Sequence, residues 1–158
     1  MKKSSGILPF RRLGKIVEVF LVHPGGPFWK NKDQHGWSVA KGEFTDDEIP
    51  FNAALREFNE ETGLYVTGEF IELNPVKQPG GKIVFTWAVE ADLNPDDVKS
   101  NTFTLEWPPK TGKLIEVPEI DKAAWIPVSE AYNKIHKGQM PILDQLKKII
   151  VVEKAPKD

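Results

Sequence analysis

The chain has 158 residues, a formal net charge of -2, 40% hydrophobic and 28% charged residues, and no cysteine. That composition belongs to a globular protein able to bury roughly two thirds of its unfolded surface around one core. It excludes disulfides, a thiolate nucleophile and a zinc-thiolate site, suits a cytoplasmic location, and lacks the basic footprint of a duplex nucleic-acid binder. One domain is expected over residues 1–152, with residues 153–158 ("EKAPKD") as a tail that frays. The lysines of "MKKSSGILPF" precede only a brief apolar stretch, and the longest apolar run elsewhere is "IIVV", so neither an export signal nor a membrane segment is expected.

Ser5 to Phe10 and Lys15 to Val22 are β-rich runs flanking "RRLGK", whose Gly14 suits a tight turn, so a hairpin is predicted. The long "HPGGPFWKNKDQHG" stretch reads as a loop, "WSVA" as a short strand and "KGEFTDDE" as a turn-rich lead into a helix with Pro50 in its first turn. From Phe51 to Thr62 the apolar Phe51, Ala54, Leu55 and Phe58 recur with helical spacing, and Gly63 supplies the stop. "YVTGEFIEL" and "KIVFTWAVEADL" read as strands joined by the "NPVKQPGG" turn. "EWPPKTGKLIEVPEID" reads as a further loop and "AAWIPV" as a last strand. Two helices close the chain, one capped by Ser129 and one beginning at Pro141. Strands interleaved with helices predict an α/β (α+β) fold, a mixed sheet with helices on both faces.

The helix over Phe51–Thr62 contains an unfavourable choice. Glu57, Glu60 and Glu61 fall in one sector of roughly 100°, about 125° from the centre of the apolar face. Like charges at these spacings cost about 0.2–0.5 kcal/mol per pair, and an anion near a helix C-terminus a further ~0.3–1 kcal/mol. Simple solvation of an acidic face would tolerate that. A hard divalent cation reverses its sign, because Mg²⁺ prefers carboxylate and water oxygens. Arg56, beside the acids, can hold one of them bidentately, and Glu48 lies upstream.

Gly42, Glu48, Arg56-Glu57, Phe58, Glu60-Glu61, Gly63 and Leu64 together reproduce every defined position of the Nudix box. The chain therefore resembles the Nudix hydrolase family, and the order of its elements resembles that family's α/β/α sandwich. The resemblance implies hydrolysis of a nucleoside diphosphate linked to another moiety, with Mg²⁺ or Mn²⁺ as cofactor and a small nucleotide as partner. By position it implies Glu57, Glu60 and Glu61 as metal ligands and Glu57 or Glu60 as the residue that activates water. It further implies that Arg56 and Glu48 pair to orient the acids, and that Gly42 lets the backbone approach the metal site. Relatives often add an acid from a later loop. Glu119 resembles that placement in dinucleoside polyphosphate hydrolases, with Glu116 and the more distant Glu106 as alternatives.

Substrate choice lies outside the box. Lys41 is a candidate phosphate contact, and "WSVAKGE" is similar to the corresponding stretch of diadenosine polyphosphate hydrolases. Lys30 and Lys32 are further candidates for phosphate, and Phe28 or Trp29 for stacking on a base, although such aromatics also anchor loops. His23, His35 and His136 have no ligand spacing and are read as structural or exposed. The loops together resemble a bacterial subgroup of predicted NTP pyrophosphohydrolases. An NTP or dinucleoside polyphosphate is the leading substrate. ADP-sugar and RNA 5′ pyrophosphate hydrolysis are the alternatives within enzymes, and a nucleotide-sensing module without catalysis is the alternative outside them.

Overall fold

The predicted N-terminal hairpin forms, with longer strands than its apolar runs suggest. β1 (Lys3–Leu13) and β2 (Ile16–Pro24) pair antiparallel out to Leu13 opposite Ile16, and Gly14 turns the chain at φ 62°. Arg11 stays in the strand because it sits directly opposite Glu18, to which its Nε donates at 2.8 Å, with its guanidinium 4.5 Å from the Trp125 ring centre. The computed structural model describes residues 2–153.

Further elements follow in order: β3 (Ala40–Phe44), α1 (Pro50–Thr62), β4 (Phe70–Glu72), β5 (Val76–Lys77), β6 (Ile83–Glu90), β7 (Thr102–Glu106), β8 (Leu114–Pro118), β9 (Ile120–Pro127), α2 (Val128–Lys134) and α3 (Met140–Glu153). The main sheet runs β4-β6-β1-β2-β9, with β3 also on β1 and β5 on β6. β1 and β6 are parallel and the other pairs antiparallel, so the sheet is mixed. Alternation along the strands feeds two cores. Ile7, Phe20, Val22 and Val89 face α1 through Ala54 and Phe58, whereas Leu8, Phe10, Val19, Leu21 and Val84 face α2 and α3 through Ala131, Ile142 and Leu146. This is the mixed-sheet sandwich expected from the sequence.

Several local expectations need correction. The strand assigned to "WSVA" begins at Ala40, so Lys41, Gly42 and Glu43 are strand residues, while Trp37 and Ser38 make only isolated bridges. Pairing with β1, Gly42 opposite Ser5, overrides the local turn preference of Gly42. "YVTGEFIEL" contracts to β4, and Tyr65 is 83% exposed. The "NPVKQPGG" turn contains the short β5. The supposed loop over "EWPPKTGKLIEVPEID" contains β8, which pairs with the β7 that leads into that stretch in a two-stranded hairpin whose alternating Phe103, Leu105, Ile115 and Val117 are obscured by the intervening prolines. Ser129 lies within α2; the cap position is Pro127 and has no side-chain hydrogen bond. In α1 the fully buried set is Ala53, Ala54, Phe58 and Thr62, while Phe51 and Leu55 are half-buried at its margin, Phe51 edge-on to Phe70 and Trp87. Of the tail expected to fray, Glu153 ends α3 and residues 154–158 lie outside the described residues.

Phe20 has no exposed surface and lies between the rings of Phe58 and Trp125, at 6.4 and 5.3 Å. Phe20→Ala is expected to destabilise the fold by about 3–5 kcal/mol, read as a lowered midpoint in urea at unchanged slope.

Candidate active site

Helix α1 presents its acids because both of its ends are fixed. Pro50 occupies the first turn and its carbonyl accepts from Ser5 Oγ at 2.5 Å. At the other end Gly63 adopts φ 73° and its N–H donates to Asn59 O at 2.7 Å. Within the helix, Arg56 is shared among three carboxylates. Its Nε and Nη2 donate to the two oxygens of Glu48 at 2.7 and 2.8 Å, and its Nη1 donates to Glu57 at 2.8 Å and Glu60 at 3.1 Å. The guanidinium holds the Glu48 carboxyl below its ordinary range, and the acids in turn raise the pKa of Arg56.

Glu57 and Glu61 experience the opposite environment. Burial pushes both carboxyls up, Glu57 against the pull of Arg56, and Glu61 to about 8 with the neighbouring Glu57 as the next cause. The Lys41 N–H donates to Glu61 Oε2 at 3.1 Å and opposes that rise in part. Gly42 sits under Glu57, and a Cβ there would overlap the Glu57 carboxylate. The backbone at Gly42 thus passes close under the Glu57 side chain, from a strand and not from a loop. Burial, and after it the like charge of Lys82, lower the pKa of the Lys41 ammonium.

The structure separates the later acids. Glu119 lies at the β8–β9 junction, its N–H donating to Asn101 O at 2.8 Å and its carbonyl accepting from Gly25 N–H at 3.0 Å, and its charge acts on both Glu57 and Glu61. Glu116 accepts instead from Thr102 Oγ1 at 3.3 Å, and Glu106 from the Lys110 N–H at 2.8 Å. Trp29 is half-buried with Lys32 Nζ 5.1 Å from its ring centre; Phe28 is 59% exposed and edge-on to Trp107 at 5.2 Å. His23 is buried between Asp121 (Nδ1, 2.9 Å) and the Lys32 carbonyl (Nε2, 2.9 Å), a structural tie. His35 Nδ1 meets the Ile135 carbonyl at 2.8 Å, and His136 accepts from the Gly138 N–H at 3.1 Å. Lys82, absent from the sequence reading, reaches Lys41 only because β6 and β3 flank β1. No local spacing signals that.

Among the described residues, no three acids converge with the spacing of metal ligands. Glu57 and Glu60 lie on Arg56, and Glu61 lies on the Lys41 amide. Their chemistry nevertheless suits a hard cation: carboxylate oxygens, partly desolvated and mutually repelling, are what a divalent ion neutralises.

The chain belongs to the Nudix family, whose NUDIX domain matches residues 2–146, and with its box complete it stands in the class of Nudix pyrophosphohydrolases. Its fold is similar to that of the C. elegans Ap4A hydrolase in a binary complex, at TM-score 0.63 and 20% identity over 96% of this chain and 99% of that one. A MutT/Nudix family protein from Listeria innocua gives TM-score 0.61 and 16% identity over 96% and 95% of the two chains. The Nudix domain of Shewanella oneidensis NrtR, complexed with ADP ribose, gives 0.62 and 15% over 94% and 87%. At these identities the likeness is one of fold. No curated protein matches the chain in sequence.

The raised Glu61 pKa fixes a sign. A carboxyl at 4.5 unfolded and about 8 folded stabilises the fold fully below pH 4.5, and that contribution is lost as pH rises to about 8. In metal-free buffer Glu61→Gln is therefore expected to match the wild type near the acid end and to exceed it by a few kcal/mol at most above the folded pKa, as measured by urea unfolding across pH.

Proposed function

We propose that the chain hydrolyses the pyrophosphate bond of a nucleoside diphosphate linked to another moiety, with Mg²⁺ or Mn²⁺ as cofactor. A nucleoside triphosphate or dinucleoside polyphosphate is the substrate. The observation that carries this reading is the pairing of desolvated Glu57 and Glu61 beside an arginine already engaged by Glu48. Such an arrangement is unfavourable until a cation enters.

Glu57, Glu60 and Glu61 would hold the metal, with Glu119 as a further acid. The metal would supply neutralisation of the phosphates and a water of lowered pKa. Arg56 orients Glu57 and Glu60 by hydrogen bonds while Glu48 fixes Arg56 in turn. Glu60, the more exposed of these two acids, and Glu57 are the candidates to accept the proton of the attacking water at a carboxylate oxygen. Gly42 keeps the backbone clear of Glu57. Lys41 and Trp29 stand as contacts for phosphate and base. Among the described residues no helix is long and apolar enough to cross a membrane. One structural neighbour is an Ap4A hydrolase and another binds ADP ribose, so an ADP-sugar is the alternative substrate within the same chemistry.

A panel of NTPs, dinucleoside polyphosphates and ADP-sugars tests this. With Mg²⁺, the protein is expected to release phosphate or a nucleoside monophosphate from the first two groups, and Glu60→Gln to abolish release. Nucleotide binding without turnover of any panel member would move the chain to the sensing modules. Gly42→Ala, which forces Glu57 aside, is expected to lower turnover by about 100-fold, with folding checked by circular dichroism. Mn²⁺ soaked into crystals is expected between Glu57, Glu60 and Glu61; density elsewhere overturns the ligand assignment.

A further inference from the structure

Strands β2 and β9 lose register beside Glu119. His23 stands opposite Lys122 and Pro24 opposite Ile120, which leaves Asp121 as an extra residue on β9. Regular alternation would turn Asp121 away from the face that Lys122 shares with His23. The bulge brings both to that face: Lys122 Nζ lies 5.5 Å from the Trp37 ring centre, and Asp121 Oδ1 lies 2.9 Å from His23 Nδ1. The other ring nitrogen, Nε2, is 2.9 Å from the Lys32 carbonyl. Carboxylate and carbonyl both accept, so the ring meets both fully only with a hydrogen on each nitrogen.

A polar ring is a costly occupant of this place. His23 is 1% exposed and edge-on to Trp37 at 5.2 Å, where an apolar side chain would pack with no polar group to satisfy. A buried acid–base pair contributes little net stability in return. What the nitrogens supply is position, and each reaches a different part of the proposed site. Through Asp121 the ring holds the start of β9, where the Glu119 carbonyl accepts from the Gly25 N–H at 3.0 Å and the charge of Glu119 acts on Glu57 and Glu61. Through the Lys32 carbonyl it holds the loop of Phe28 and Trp29. There the Lys32 N–H donates to the Trp29 carbonyl at 2.9 Å, and the Trp29 N–H to the Gly26 carbonyl at 3.2 Å. Gly36 packs on the same Lys32 carbonyl so closely that a Cβ would overlap it.

We propose that Asp121 and His23 are positioning residues that set Glu119 at its distance from the acids of α1 and from the loop of Trp29. This rests on the pyrophosphohydrolase reading, in which Glu119 is the further acid at the metal, and gives two residues outside the box a part in metal binding.

The probe is Mn²⁺, titrated into the full-length protein without nucleotide and followed by loss of the free-ion electron paramagnetic resonance signal. Asp121→Ala is expected to weaken Mn²⁺ binding about tenfold, the scale of a group that orients a ligand. Asp121→Asn is expected to stay within about twofold of the wild type, because its amide can donate to Nδ1 while Nε2–H donates to the Lys32 carbonyl. With Glu119→Gln already present, Asp121→Ala is expected to cost nothing further. His23→Phe keeps a ring against Trp37 and removes both nitrogens. It is expected to weaken Mn²⁺ equally and, by releasing the Lys32 carbonyl, to raise KM about threefold for the nucleotide turned over fastest. The Asp121 side chain is 30% exposed, so Asp121→Ala carries the test even where His23→Phe fails to fold. Wild-type Mn²⁺ affinity in Asp121→Ala overturns the proposal. So does an equal loss in Asp121→Asn, which makes the charge and not the hydrogen bond responsible, and so does a full further loss in the Glu119→Gln background. The two readings fail separately. Turnover of no nucleotide, with these Mn²⁺ effects intact, sinks only the enzymatic one. Turnover with unchanged Mn²⁺ affinity in Asp121→Ala sinks only this one.

Discussion

The two-pronged hydrogen bonding of Arg56 to Glu48 is the contact on which the site depends. Planar guanidinium geometry matches a carboxylate in only a few orientations, so the fork fixes the whole side chain. Its remaining nitrogen then places Glu57 and Glu60, and the loop carrying Glu48 is tied to the middle of α1. Arg56 is more than a third exposed, so the pair adds little to global stability. Its effect is positional: without it Glu57 and Glu60 would move apart under mutual repulsion.

Strand β3 serves both faces of the sheet by the alternation of its side chains. Gly42 faces α1 and leaves room for Glu57, while Lys41 and Glu43, on either side of it, face the other way. The Lys41 amide, meanwhile, still reaches Glu61. A one-residue slip of β3 against β1 would put Lys41 under the helix and close the space that Glu57 occupies. Gly6, where a Cβ would crowd the Ala40 carbonyl and Lys41 Cβ, lets β3 lie this close to β1. The register of a short strand thus decides where both negative and positive charge collect.

Chemistry written in local spacing was legible, and chemistry written in strand register was not. The box residues could be read because Glu57, Glu60 and Glu61 share a helix and Arg56 stands among them. The first hairpin was legible from Gly14 between apolar runs. β3 was displaced because Gly42 prefers turns when considered alone, whereas pairing with Ser5 holds it extended. β7 and β8 were hidden because Thr, Glu and Pro dilute a pattern that only the paired strands complete. Lys82 carries no mark of interest in the linear chain; it comes near Lys41 through the parallel pairing of β1 with β6 and the antiparallel pairing of β1 with β3, which no turn signals.

The loop between β2 and β3 ties the proposed substrate contacts to the rest of the site. It bears Phe28 and Trp29, and it is pinned at several points: Gly25 N–H to the Glu119 carbonyl, His23 to the Lys32 carbonyl, and Trp37 Nε1 to Asp33 at 3.0 Å. Gly25 is packed so closely on Pro118 that a Cβ would overlap its carbonyl. The segment that presents the aromatic rings is therefore bound to the segment that presents Glu119. Movement of one displaces the other relative to Glu57 and Glu61, so the proposed base contacts and the proposed fourth acid are mechanically one unit. Under the proposed function, variation in this loop changes the rate of bond cleavage together with the choice of substrate, even though the helix that carries the other acids is untouched.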